Sequence, residues 1–448
     1  MPINFFRSKP FEKRKQKLVV KHSLSRLAIV MTHPVQYYIP WIVEQSKQKV
    51  QLKVFYTWSQ SQNGVIYDKG FGKNIQWDIP LLDGYDYTFV NNISKKPGVD
   101  HFLGIINPGL KEEIEAWNPD YIMIHGWNFQ SHLKCIMDFH KKIPILFVGD
   151  STLLGETKGI KKLARRIFLS WVYRHIDVAC YPGTNSKDYF LKHSVKKEQL
   201  FYLPHSVNLD HFSGAADHNN QLAKKWKKDL GIPENNFVVL YAGKLIDVKN
   251  PGFLIELAAH CKNMGVTVLM VGNGPLENKL KAEACDYDNI KFLDFQNQKL
   301  MPVVYRMGDV FILPSTNETW GLCINEAMAC ERPVMVSSMA GCAVDLVEEN
   351  KTGMIFEPDN ISKCVEFIKK LNSDRVLANE MRNNAKKKAD LFSVQTRIER
   401  FNSLVDFLDS YYDFVIRKRK RNSRKSTPVF NISDIHPEYS FKKSGKNF

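Results

Sequence analysis

Asn317-Glu318-Thr319-Trp320-Gly321-Leu322-Cys323-Ile324-Asn325-Glu326 sets two carboxylates eight positions apart, with Pro314-Ser315 ahead of the first and Ala327-Met328-Ala329 behind the second. Val310-Phe311-Ile312-Leu313 is a short all-apolar run that reads as a buried strand, and the segment from Pro314 to Glu318 reads as a loop. A helix is expected to open near Trp320-Gly321-Leu322, where unpaired backbone N–H groups and the helix dipole favour an anion. Glu318 then stands beside that anion position and Glu326 about two turns down the helix. Two carboxylates flanking a phosphate position can each accept hydrogen bonds from a polyol, a layout suited to a sugar nucleotide.

Upstream, Tyr241-Ala242-Gly243-Lys244-Leu245 followed by Lys249-Asn250-Pro251 places two ammonium groups at the end of an apolar run and in the loop after it. Parallel α/β sheets bind ligands at the carboxyl ends of their strands. Lys244 and Lys249 can there neutralise a diphosphate and the charge that grows as it leaves. Val271-Gly272-Asn273-Gly274-Pro275-Leu276 is a glycine turn after a second apolar run, and Asp309 and the Gly341…Gly353 spacing complete the set. The plain alternatives are two surface lysines, a helix-start acid, a solvated helix acid and an ordinary loop.

In this order the elements resemble retaining GT-B glycosyltransferases, specifically glycosyltransferase family 4 with its Glu-x7-Glu signature, over about residues 237–400. The resemblance implies that Glu318 meets the donor sugar's hydroxyls and Glu326 the nucleotide ribose. It implies that Thr319 and the backbone N–H groups of Trp320, Gly321 and Leu322 meet the sugar and phosphates. Gly243, Lys244 and Lys249 fall to the diphosphate, and Gly272, Asn273 and Gly274 to the base and ribose. Lys244 stands where the family more often has Arg, so the bidentate fork is lost. The implied chemistry is front-face attack through an oxocarbenium-like ion pair, the leaving phosphate helping to take the acceptor proton, with no enzymic nucleophile. Neither a cofactor nor a metal is expected, and no Asp-x-Asp motif occupies a suitable loop.

The strands and helices alternate, which argues parallel sheets. Residues 27–31, 52–56, 121–125, 145–148 and 178–181 read as buried strands of a first half. Residues 237–242, 266–271, 290–293, 310–313 and 334–337 read likewise in a second, with helices over about 250–264 and 275–284. The expected fold class is α/β of the GT-B type, two Rossmann-like domains with parallel sheets facing a central cleft. The expected divisions are a basic disordered head (1–24), an acceptor domain (25–208), a polar linker (209–236) and a donor domain (237–395). A helix (396–416) crosses back to the N-terminal domain, and a basic disordered tail (417–448) follows.

In the first half, Thr32-His33-Pro34-Val35-Gln36-Tyr37-Tyr38 replaces the glycine-rich loop that many family members carry there. His33 and Gln36 are candidate side-chain donors, and Tyr37 a candidate wall of the acceptor pocket. His125-Gly126-Trp127 and Gly149-Asp150-Ser151-Thr152 follow later strands. Either His125 or Asp150 is a candidate catalytic group near the acceptor hydroxyl, and the spacing does not choose between them. His205 reads as structural.

The net charge of +16 is concentrated at the ends: residues 1–26 carry eight Lys/Arg against one acid, and residues 417–448 ten against two. Such ends favour an anionic surface. No nucleic-acid-reading motif accompanies them, which ranks phospholipid above nucleic acid as the partner. Residues 159–176 form a basic amphipathic stretch with Ile160, Leu163, Ala164, Ile167, Phe168, Trp171 and Val172 on one stripe, suited to the sheet or to a membrane surface. Eight cysteines without a Cys-x-x-Cys pair fit a reducing compartment. No secretory signal is read, and no apolar run reaches the ~20 residues of a bilayer span. The expected location is cytoplasmic, with peripheral attachment.

The expected activity is transfer of a sugar from a nucleotide-diphospho-sugar to a hydroxyl of a glycan or lipid-linked glycan. A sugar-nucleotide epimerase, a phosphorylase, or a non-catalytic membrane-associated scaffold are the alternatives.

Overall fold

The computed structural model describes residues 24–59, 65–156 and 159–421; the basic head and most of the basic tail lie outside these. Fifteen strands are formed among the described residues: β1 (Ser25–Met31), β2 (Val50–Tyr56), β3 (Val65–Asp68), β4 (Lys73–Gln76), β5 (Asp86–Phe89), β6 (Tyr121–His125), β7 (Ile145–Val148), β8 (Val178–Tyr181), β9 (Leu200–Tyr202), β10 (Phe237–Ala242), β11 (Val266–Val271), β12 (Ile290–Leu293), β13 (Val310–Leu313), β14 (Val334–Ser337) and β15 (Gly353–Phe356). They make a seven-stranded parallel sheet in the order β5-β2-β1-β6-β7-β8-β9 and a six-stranded parallel sheet in the order β12-β11-β10-β13-β14-β15. A separate antiparallel hairpin pairs β3 with β4.

Every residue of β10, β11, β13 and β14 is buried. Helices cover both faces of each sheet, so the strands read as unbroken apolar runs rather than alternating ones. Each sheet also reverses strand order once, at β1/β6 in the first and β10/β13 in the second. A crevice opens at such a reversal, outside the carboxyl ends of the strands.

The stretch expected as a linker is instead helical. Helices Leu209–Ser213 and Ala216–Asp229 occupy it. Leu222, Ala223 and Trp226, at helical spacing, pack with Phe212 into the core on one face of the second sheet. A narrow apolar stripe in a strongly polar helix resembles a linker in mean composition, but it is enough to seat the helix.

The last helix, Val394–Arg421, starts two residues earlier and ends five later than expected. Its Ile398, Phe401, Leu404, Val405 and Leu408 join the core of the first sheet. Asp409 accepts hydrogen bonds from Ser25 and Tyr121, and Gln45 donates to Asn402 (2.8 Å). This helix is thereby stapled to the N-terminal domain over residues 398–409.

Candidate donor and acceptor site

The second sheet's reversal brings together the loops after β10 and β13. Lys249 closes a short helical turn (Asp247–Lys249) after β10, and its Nζ contacts Glu318 Oε2 in the loop after β13. Both side chains are only partly exposed, at 24% and 16%. Glu318 is held from behind: its N–H donates to Met339 O (3.1 Å), and its carbonyl accepts from Gly341 (2.9 Å). The helix Leu322–Ala329 then opens from Gly321, whose φ of +98° lies in the left-handed region. A Cβ there would also stand 2.8 Å from Leu313, so only glycine fits this turn.

Glu326 lies on that helix, where the Tyr305 hydroxyl donates to its Oε2 (2.6 Å). Burial pushes the Glu326 carboxyl up to about 7, and the Tyr305 hydrogen bond opposes the rise. Tyr305 had no sequence signal; it sits in an apolar helix 21 positions upstream. Gly272, after β11, has φ +134°, and a Cβ there would meet Gly243 O at 2.0 Å. The two glycine turns therefore lie backbone to backbone. Asn273 donates to Glu277 (2.8 Å) and Asp294 (3.1 Å). Asp309 is structural, accepting from Val238 N (2.9 Å) and pairing with Arg382 (2.7 Å). The Asp286-Tyr287-Asp288 triplet precedes β12 and so lies at the sheet's opposite, amino end.

Across the cleft, Asp150 follows β7, and the Thr319 hydroxyl reaches its Oδ2 at 3.3 Å. Burial raises the Asp150 carboxyl, the neighbouring Glu318 charge adds to the rise, and the Thr319 contact opposes it. The fold thus brings Asp150, Thr319, Glu318 and Lys249 into one constellation. His125 belongs to a different group. Its ring meets Tyr38 edge-on at 4.8 Å, and its Nε2 is buried with no hydrogen-bond partner. Burial first, then Arg397, His132 and His205, hold it well below the usual histidine range, so it is neutral.

The loop after β1 contributes to that second group. Tyr37 packs against Tyr38 (4.5 Å) and His205 (5.9 Å). Burial raises its hydroxyl, with Tyr38 and Asp150 adding to the rise. His33 contacts Thr32 Oγ1 (2.9 Å) and Trp58 edge-on, and burial lowers it to about 4. Gln36 begins the turn that leads into the helix Ile39–Ser46. His205 packs on Trp320 of the other domain (5.4 Å), in keeping with a structural part.

Several interdomain connections left no trace in the sequence, two of them through carboxylates. Asp345 accepts from Thr184 N (2.9 Å) and Thr184 Oγ1 (2.6 Å), so a carboxylate of one domain caps the helix Thr184–Lys192 of the other. On the opposite flank, Asp68 of the β3–β4 hairpin pairs with Lys244 (2.9 Å).

Residues 223–388 match the family described as glycosyl transferases group 1. The chain is 28% identical over 202 residues to a D-inositol 3-phosphate glycosyltransferase of Salinispora arenicola, covering 42% of this chain and 45% of that one. It is 28% identical over 228 residues to the UDP-Gal:alpha-D-GlcNAc-diphosphoundecaprenol alpha-1,3-galactosyltransferase of Escherichia coli, covering 49% and 56%. The chain thus spans about half the length of these curated relatives. In fold it is similar to Anabaena HepE, solved with UDP and glucose: TM-score 0.65 and 19% identity, covering 86% of this chain and 100% of that one. It is also similar to WaaG, a glycosyltransferase involved in lipopolysaccharide biosynthesis, with TM-score 0.60 and 13% identity over 84% and 99%. The two-sheet architecture is that of the GT-B glycosyltransferases.

Proposed function

From the GT-B fold and the group 1 match over residues 223–388, we propose that this protein is a glycosyltransferase acting on a nucleotide-diphospho-sugar, with retention of the anomeric configuration. The observation that carries the reading is the constellation of Lys249, Glu318, Thr319 and Asp150, drawn from both domains at the strand-order reversal. Lys249 and Lys244 take the diphosphate and stabilise its charge as the glycosidic bond breaks. Glu318 accepts hydrogen bonds from the donor sugar and Glu326 from the ribose. Asp150, across the cleft, meets the acceptor hydroxyl, and the departing phosphate takes its proton. His125 holds the cleft's aromatic floor. Ammonium groups do the work a cation would otherwise do, so turnover is expected to persist in excess EDTA and to release product with the donor's anomeric configuration. Loss of turnover that Mg²⁺ or Mn²⁺ restores overturns the metal-free part; an inverted anomer seen by NMR overturns retention.

The acceptor is a glycan or a lipid-linked glycan met at an anionic membrane surface. The relative named for transfer to a diphosphoundecaprenol-linked GlcNAc supports this, as does the helix Ile160–Tyr173. Leu169, Val172 and Tyr173 bury one side of it, while Ile160, Leu163, Ile167, Phe168 and Trp171 stay exposed beside Lys161, Arg165 and Arg166. An amphipathic helix with apolar residues facing outward and basic residues around them suits an interfacial position. No helix among the described residues is long and apolar enough to cross a membrane. The protein is expected to sediment with anionic liposomes at low salt. The double variant Ile167→Asp/Trp171→Asp is expected to sediment clearly less than wild type at low salt, the basic ends retaining the remainder. Equal sedimentation of the two proteins contradicts this surface.

A further inference from the structure

The β3–β4 hairpin belongs to the N-terminal domain by sequence, yet it joins neither sheet. It lies across the C-terminal domain, held by the loops after β10, β11 and β12. Lys244 pairs with Asp68 (2.9 Å), and Lys73 donates to Asn273 Oδ1. Phe71 packs on Phe295 (4.7 Å), and Asn297 donates to Gln76 O (2.6 Å). Two of these anchors, Lys244 and Asn273, are residues the donor reading assigns to the diphosphate and to the base and ribose.

Asp68 is shaped for this contact. Its Oδ1 accepts the N–H groups of Gly70 (2.8 Å) and Phe71 (3.1 Å), which fixes the carboxylate and leaves Oδ2 for Lys244. The Lys244 side chain is enclosed by the same turn. Its Nζ lies 5.1 Å from the Phe71 ring centre, and a Cβ on Gly70 would meet its Cδ at 2.6 Å. Asp68 already neutralises the Lys244 ammonium, so a diphosphate must compete with it for that charge. The hold is light: a two-stranded hairpin is marginal alone, and partly exposed ion pairs contribute little.

We propose that the β3–β4 hairpin is a lid carrying its own anion, with Asp68 holding Lys244 until a diphosphate displaces it. The proposal rests on the donor-site reading above. Donor binding then exchanges one anion for another at the same ammonium and removes one of the hairpin's anchors, which loosens it.

The test compares wild type with Asp68→Asn, which keeps the shape and removes the charge, using UDP and inorganic pyrophosphate as probes in calorimetry. Asp68→Asn is expected to bind both about twofold to fivefold more tightly at low salt, the range set by a partly exposed ion pair. The advantage should shrink as salt rises. In wild type, hydrogen exchange over residues 65–76 should quicken when either probe binds. Equal or weaker binding by Asp68→Asn, or exchange that slows on binding, overturns the lid. Binding of neither probe by either protein overturns the donor-site reading itself.

Discussion

Replacing Lys249 with Ala is expected to lower turnover by about 100-fold to 1,000-fold, the scale of removing one preorganised group at a developing oxyanion. The donor's Kd should change far less. The diphosphate carries its largest charge as the glycosidic bond breaks, so the ammonium's contribution is greatest in the transition state. Lys249 is also the partner of Glu318, and its removal leaves that carboxylate without a counter-charge among its contacts. Lys249→Arg, which keeps the charge, should recover part of the rate. A rate loss matched by an equal loss of donor affinity would assign Lys249 to uniform binding instead.

Glu326 should show its role through pH. Its carboxyl is raised from 4.5 to about 7 by burial, so near neutrality it is only partly ionised. A carboxylate is a better acceptor for ribose hydroxyls than a carboxylic acid, so donor affinity is expected to strengthen as pH rises through about 7. Glu326→Gln should flatten that dependence. Glu326→Ala should weaken donor binding by about 1–3 kcal/mol, the cost of losing hydrogen bonds to a charged group. Folding stability carries the opposite sign. Between 4.5 and about 7 the native state holds a proton the unfolded chain has released, so this group's favourable contribution is complete below 4.5 and fades as pH rises to about 7. A donor affinity that is flat from pH 6 to pH 8 in wild type contradicts the ribose assignment.

The ten strands expected from sequence were all legible for one reason. Each is rich enough in apolar residues to stand out from its flanks, including the edge strand β12 (Ile-Lys-Phe-Leu), which is only partly buried. β5 (Asp-Tyr-Thr-Phe) escaped because it carries two polar residues in four and is half-exposed, and β15 (Gly-Met-Ile-Phe) because it opens on a glycine and has only three apolar side chains. β9 has only three residues. The helix Ala216–Asp229 escaped because its mean composition is polar, though its stripe is sound.

At the site, motif order carried Lys249, Glu318 and Glu326, which come from two adjacent units of one sheet: the loop after β10 and the strand–loop–helix that begins at β13. What could not be read were partners brought in by the other domain. Asp68 reaches Lys244 across 176 positions, and Thr184 reaches Asp345 across 161. No spacing rule links such residues; only the packing of two sheets does. The choice between His125 and Asp150 had the same character. Both follow parallel strands, and their separation depends on Tyr38, His205 and Arg397 drawing the imidazole into a buried group while Thr319 meets the carboxylate.

The most direct test of the donor site is a thermal-unfolding series with a panel of nucleotide-diphospho-sugars in EDTA, run on wild type and Lys249→Ala/Glu326→Ala. Ligand that binds only the native state raises stability by RT ln(1 + [L]/Kd), about 2.7 kcal/mol at a hundredfold excess over Kd. At least one nucleotide sugar is expected to raise the wild-type Tm by several degrees, with little or no rise in the double variant. A panel that leaves the wild-type Tm unmoved, or moves both proteins equally, contradicts a donor site built on Lys249, Glu318 and Glu326.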